Sequence, residues 1–133
     1  MRFRALFAVA VTGLVFSATS LAASHTTAPG LRLTVLVKLK DDGIELTYYR
    51  WFGGNTLVPV TGVGVAQRGG LATFNVVNYG KNRHNFAVLG KQTRPIDPGK
   101  RSHFNVFLTV RGNFPYQSAI DKGKSFRGIF RVV

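Results

Sequence analysis

Residues 78–133 read NYGKNRHNFAVLGKQTRPIDPGKRSHFNVFLTVRGNFPYQSAIDKGKSFRGIFRVV. Turn residues break this stretch at close intervals: Asn78-Tyr79-Gly80, then the rigid Arg94-Pro95-Ile96-Asp97-Pro98-Gly99, then Arg111-Gly112-Asn113. Gly, Asn and Asp accept backbone conformations that other residues resist, and Pro presets one. Short alternating runs lie between the turns. Phe86 and Val88 share a face over residues 84–89. Phe104, Val106 and Leu108 alternate with His103, Asn105 and Phe107 over residues 102–110. Residues 114–118 read as short and extended, with Tyr116 on the core side. Residues 127–133 read as a last strand, with Ile129 and Val132 among its buried side chains. A period of two is the signature of a half-buried strand.

The chain before this stretch follows the same rule. Leu31, Leu33, Val35, Val37 and Leu39 alternate with Arg32, Thr34, Lys38 and Lys40, and Leu36 is the exception. Asp41-Asp42-Gly43 is a turn, and residues 44–52, with Tyr48, Tyr49 and Trp51, are the second arm of a hairpin. Gly53-Gly54-Asn55 interrupts that arm, and Pro59 makes residues 57–60 an edge strand. Residues 61–70 are glycine-rich, but Gly62-Val63-Gly64 lacks the spacing and the following helix of a phosphate loop. Residues 71–78 are a strand carrying Phe74 and Val76 on one side. No stretch shows a long helical period. About seven or eight short strands with frequent turns predict a Greek-key β-sandwich over residues 31–133. With 45% apolar residues and 11 Phe, its core can be filled without cross-links.

Residues 1–22 carry the marks of an export signal. Arg2 and Arg4 precede an apolar run over residues 5–16, shorter than the ~20 residues that span a bilayer. Ser20 and Ala22 place small residues for cleavage after Ala22; retention as an anchor is the alternative. Residues 23–30 read as a flexible linker in which His25 is solvated. The domain is therefore expected in the periplasm or outside the cell, with no span in the mature chain, as a monomer.

The chain has 18 Lys and Arg against 5 Asp and Glu, a net charge of +13. Such a surface attracts anionic partners, here an acidic protein or an envelope component; no sequence-specific nucleic-acid motif is present. With no Cys, disulfides, thiolate metal sites and a Cys nucleophile are excluded.

Several motifs in order carry a family likeness: Phe74-Asn75-Val76-Val77-Asn78-x-Gly80, His84-Asn85-Phe86, Pro98-Gly99, Gly112-Asn113-Phe114-Pro115-Tyr116 and Gly128-Ile129-Phe130-Arg131-Val132. This series resembles the cupredoxins, the plastocyanin- and azurin-like blue copper domains, well over residues 71–133 and loosely over 31–70. In such domains one copper ligand is a His after the Asn-x-Gly turn, and the rest come from a loop Cys-x-x-His-x-x-x-x-Met. The resemblance places His84 at the first position, and Ser118, Asp121 and Phe126 at the other three. Spacing is kept, but only His84 keeps its ligand type. Blue copper needs a thiolate, and Phe126 cannot ligate; it fills the vacated axial position.

Three readings of this degenerate site follow. In the first, His84, Asp121 and Ser118 form a polar tie that replaces the copper. In the second, they hold Cu(II) or Zn(II) weakly at a non-blue site, with His103 taking no part. In the third, they are a hydrolytic triad, which the convergence of ligand positions and the lack of a nucleophile elbow argue against. Lys81, Arg83, Lys122, Lys124 and Arg127 would crowd around the site as an anion-binding rim. The reading overall is a non-enzymatic exported binding or structural module without a cofactor, or alternatively a copper-binding protein with its residual site at His84 and Asp121.

Overall fold

The computed structural model describes residues 32–52, 56–61 and 66–133. The predicted export signal, the linker and His25 lie outside the described residues. Two sheets face each other. The first is ordered β3-β2-β1-β4-β7, from β1 (Arg32–Lys40), β2 (Gly43–Phe52), β3 (Thr56–Val60), β4 (Leu71–Asn78) and β7 (Arg101–Phe107). The second is ordered β6-β5-β8-β9, from β5 (Ala87–Val88), β6 (Lys91–Gln92), β8 (Gly112–Gln117) and β9 (Arg127–Val132). The neighbours β1 and β4 are parallel, and the other pairs are antiparallel. This is the predicted all-β sandwich.

Alternation puts the predicted faces inside. Leu33, Val35, Val37 and Leu39 of β1 are buried, as are Ala72, Phe74 and Val76 of β4. Phe74 is the centre of the core. Its ring lies 5.1 Å from Phe104, 5.4 Å from Phe130 and 6.0 Å from Phe86, which joins the two sheets through aromatic contacts.

Three expectations need correction. Ile129 is 59% exposed, whereas Phe130 and Val132 are buried. The β8–β9 register sets Phe130 opposite Phe114, so the core takes the aromatic ring and Ile129 turns outward beside Pro115. Residues 84–89 do not form one continuous strand either; the ladder is confined to β5. The Phe86 N–H donates to the Thr93 hydroxyl at 3.0 Å, which replaces a ladder bond. His84 instead pairs with Ile96 as an isolated bridge. The strand expected to run to residue 110 ends at Phe107, because Leu108 bonds the backbone of Gly69 and Gly70.

Phe74→Ala should cost about 3–5 kcal/mol of stability in urea unfolding. Ile129→Ala should stay within about 0.5 kcal/mol. A similar loss for both would contradict this assignment of the faces.

Candidate functional site

Three segments meet at one end of the sandwich: the β1–β2 turn, the loop after β4 and the loop between β8 and β9. Their meeting follows from the β1–β4 pairing. It places Leu39 beside Asn78, and the Tyr79 N–H donates to Leu39 O at 2.8 Å. The turn with Asp41 and the loop with His84 are thereby side by side.

Asn78 shapes its loop. Its Oδ1 accepts from the Gly80 N–H at 2.8 Å, and its Nδ2 donates to Asn82 O and Ile96 O, both at 2.8 Å. The loop then presents backbone donors to Asp41. The Lys81 N–H lies 3.0 and 2.8 Å from the two carboxylate oxygens, and the Asn82 N–H donates to Oδ1 at 3.1 Å. Gly80 packs directly against this contact. A Cβ there would lie 2.5 Å from Asp41 Oδ1 and 2.8 Å from His84 Nε2.

His84 is the centre of the site, with only 3% of its side chain exposed. Its Nε2 is 2.9 Å from Asp41 Oδ1 and its Nδ1 is 2.9 Å from Asp121 Oδ2. Asp121 is placed by Ser118, whose Oγ lies 2.7 Å from Asp121 Oδ2 and accepts from the Asp121 N–H at 3.0 Å. The same Oγ lies 3.0 Å from Asn85 Oδ1, so its single proton serves one of these two oxygens at a time. Asn85, itself buried, accepts from the Ala119 N–H at 2.7 Å. Ser118 N–H to Phe126 O at 2.9 Å closes the loop. The Phe126 ring stacks beside His84, with centroids 6.0 Å apart.

This geometry sets the charge state. Asp41 accepts several hydrogen bonds, which requires its ionised form. Those from the Lys81 backbone, from His84 and from Asn82 hold it far below its ordinary 3.8. A carboxylate at each ring nitrogen needs a proton on each, which makes His84 an imidazolium. Burial pushes its pKa down, but the hydrogen bonds to Asp121 and Asp41 outweigh burial and raise it above 6.5.

All four positions drawn from the resemblance therefore converge: His84, Ser118, Asp121 and Phe126. Asp41, Asn78 and Asn85 carry as much of the site and were missed. The Asn-x-Gly signal marks Asn78 as a turn residue without showing which groups its amide ties together, and no local pattern marks the turn residue Asp41 as a partner of His84. The rim residues Lys81, Arg83, Lys122, Lys124 and Arg127 are exposed on or beside the converging loops. Arg83 shares its charge with Asp97 at 2.5 Å, which weakens the rim there. His103 lies on β7, exposed and on the outer face of its sheet.

The arrangement does not fit the copper that the fold implies. There is no thiolate, and a metal needs a free nitrogen lone pair where His84 presents two protons to carboxylates. Among the described residues no group of three His, Cys, Asp or Glu is arranged to hold an ion. A hydrolytic triad does not fit either, since Ser118 contacts Asp121 and neither ring nitrogen of His84 meets it.

No family model matches the chain, and no curated protein matches it. Among solved structures, it is similar to the periplasmic domain of subunit II of cytochrome oxidase (CoxB) of Bradyrhizobium japonicum. The identity is 18% over 76% of this chain and 83% of that one, with a TM-score of 0.54. It is also similar to a mixed-disulfide intermediate between a thioredoxin-like protein and subunit II of cytochrome c oxidase, at 18% identity over 76% and 81% of the two chains and a TM-score of 0.53. At these identities the likeness establishes the fold alone, and that fold is the cupredoxin-like β-sandwich.

The raised His84 pKa contributes stability fully below 6.5, and the contribution fades as pH climbs through the folded value. The depressed Asp41 contributes above 3.8 and loses its effect on acidification. Asp121→Ala should therefore cost about 3 kcal/mol near pH ~5 and clearly less near pH ~9, measured by urea unfolding. An equal cost at both pH values would rule out the charged pair. Gly80→Ala should disrupt the Asp41–His84 contact and cost about 1–3 kcal/mol, measured the same way.

Proposed function

We propose that this chain is an exported, non-enzymatic cupredoxin-like module that works without a resident metal and docks on an anionic protein or envelope component. The observation that carries the reading is the commitment of both His84 nitrogens to carboxylates. In this reading the ion cluster of Asp41, His84 and Asp121 supplies the tie between loops that a copper would otherwise supply. Cu(II) or Zn(II) would have to displace protons that two carboxylates hold in place, so affinity at His84 is weak and falls further as pH drops.

Export is supported by the short apolar leader with its basic start, and by the likeness to a periplasmic domain. Among the described residues no helix is long and apolar enough to cross a membrane. The anionic partner is supported by where the acids are used. Asp41 and Asp121 face His84, Glu45 pairs with Lys38 and Lys40, and Asp97 pairs with Arg83. With 18 basic residues in the chain, the excess positive charge is left for the exterior.

Calorimetric titration of the exported protein with Cu(II) should show no binding at His84 tighter than about 10 µM. Tight binding abolished by His84→Ala would overturn the metal-free reading. Replacing Lys122, Lys124 and Arg127 together by Ala should bring elution from a cation exchanger to clearly lower salt. Unchanged retention would exclude this rim as the docking face.

A further inference from the structure

The outer face of the five-stranded sheet is the most distinctive surface outside the site. Because β1 turns Leu33, Val35 and Val37 inward, it turns Arg32, Thr34 and Leu36 outward. The register then lays Tyr49 and Thr73 on either side of Thr34, with Asn105 beyond Thr73. A second row sets Thr47 and Asn75 beside Leu36, with His103 beyond Asn75. In a protein of net charge +13, these two central rows carry no Lys, Arg, Asp or Glu. Trp51 lies on the same face, two residues along β2 from Tyr49. Its indole is held by a hydrogen bond from Nε1 to Thr34 Oγ1 at 3.2 Å.

Charges bracket this neutral centre. Arg32 sits beside Leu71 at one end, and Arg101 beside Val77 at the other. Glu45, the one acid on this face among the described residues, is already paired with Lys38 and Lys40. Half-buried Tyr and Trp rings offer an electron-rich surface to C–H groups, and amides and hydroxyls both donate and accept. Sugar rings present that combination: apolar C–H faces edged by hydroxyls. Arginines at both ends add complementarity for carboxylates. A nucleic acid strand would need cations along its whole path, and the central rows supply none.

We infer that this sheet face binds an acidic polysaccharide, with Tyr49 and Trp51 stacking on sugar rings and Arg32 and Arg101 holding uronate carboxylates. The inference rests on the reading of the chain as an exported module with an anionic partner, and it specifies the chemistry of that partner.

The test is titration of the 15N-labelled exported protein with polygalacturonate oligomers, followed by amide shifts and calorimetry. Shifts at residues 49, 51, 75 and 105 are expected, with affinity falling at least about ten-fold in Arg101→Ala and in Trp51→Ala. Asn105 is exposed, and Asn105→Ala should weaken binding without changing the thermal midpoint, which separates recognition from folding. Equal binding of neutral dextran, tighter binding of oligo(dT), or no binding at all would overturn the inference. Shifts confined to residues 81–83 and 122–127 would also overturn it, while leaving the anionic partner and the rim standing.

Discussion

A protonated imidazole withdrawn from water is stable only where negative charge meets it, and His84 has a carboxylate on each ring nitrogen at 2.9 Å. Three separated segments are bent to provide this. Asp41 comes from a hairpin turn, His84 from the loop after β4, and Asp121 from the loop between β8 and β9. Each carboxylate is fixed in turn: Asp41 by backbone donors of Lys81 and Asn82, Asp121 by Ser118 and its own N–H. With no buried side-chain polar atom left unpaired among the described residues, the cluster meets the condition under which buried charge is tolerated.

This cluster differs in shape from the metal site that the resemblance would place here. Metal ligands aim lone pairs at one point, whereas here the imidazole lies between its partners and aims protons outward at both. The loop between β8 and β9 keeps its form through other means. Ser118 and Phe126 close it through the backbone, Asn85 gathers its N–H groups, and Phe126 covers the ring of His84. Gly43 lets the hairpin turn approach the same loop, since a Cβ there would meet Ser125 O at 2.8 Å. The form of this loop therefore rests on contacts among the chain's own side chains and backbone.

The use of acids inside shapes the outside. Nearly every carboxylate of a chain that has only 5 is engaged with His, Lys or Arg, or with backbone donors. What remains on the surface is positive, with two different textures. The loops around His84 carry scattered Lys and Arg, whose attraction is long-ranged and weakened by salt. The outer sheet face carries rings, amides and hydroxyls between arginines, a pattern suited to short-range recognition.

Residue alternation alone was enough to read the sandwich and the inward faces of β1, β4 and β7, whereas the meeting of Ser118, Asp121 and Phe126 with His84 was legible only through the family resemblance. The strand faces are local properties, because side-chain direction along a strand follows from backbone geometry. Where apolar residues adjoin, as at Ile129 and Phe130, alternation has no unique phase, and only the pairing of Phe130 with Phe114 decided which side chain is buried. The partner on the far nitrogen of His84 was beyond local reading altogether, since Asp41 lies 43 residues away. It arrives there because β1 and β4 pair in parallel with Leu39 beside Asn78, a register set by burial of whole strand faces rather than by any residue of the site.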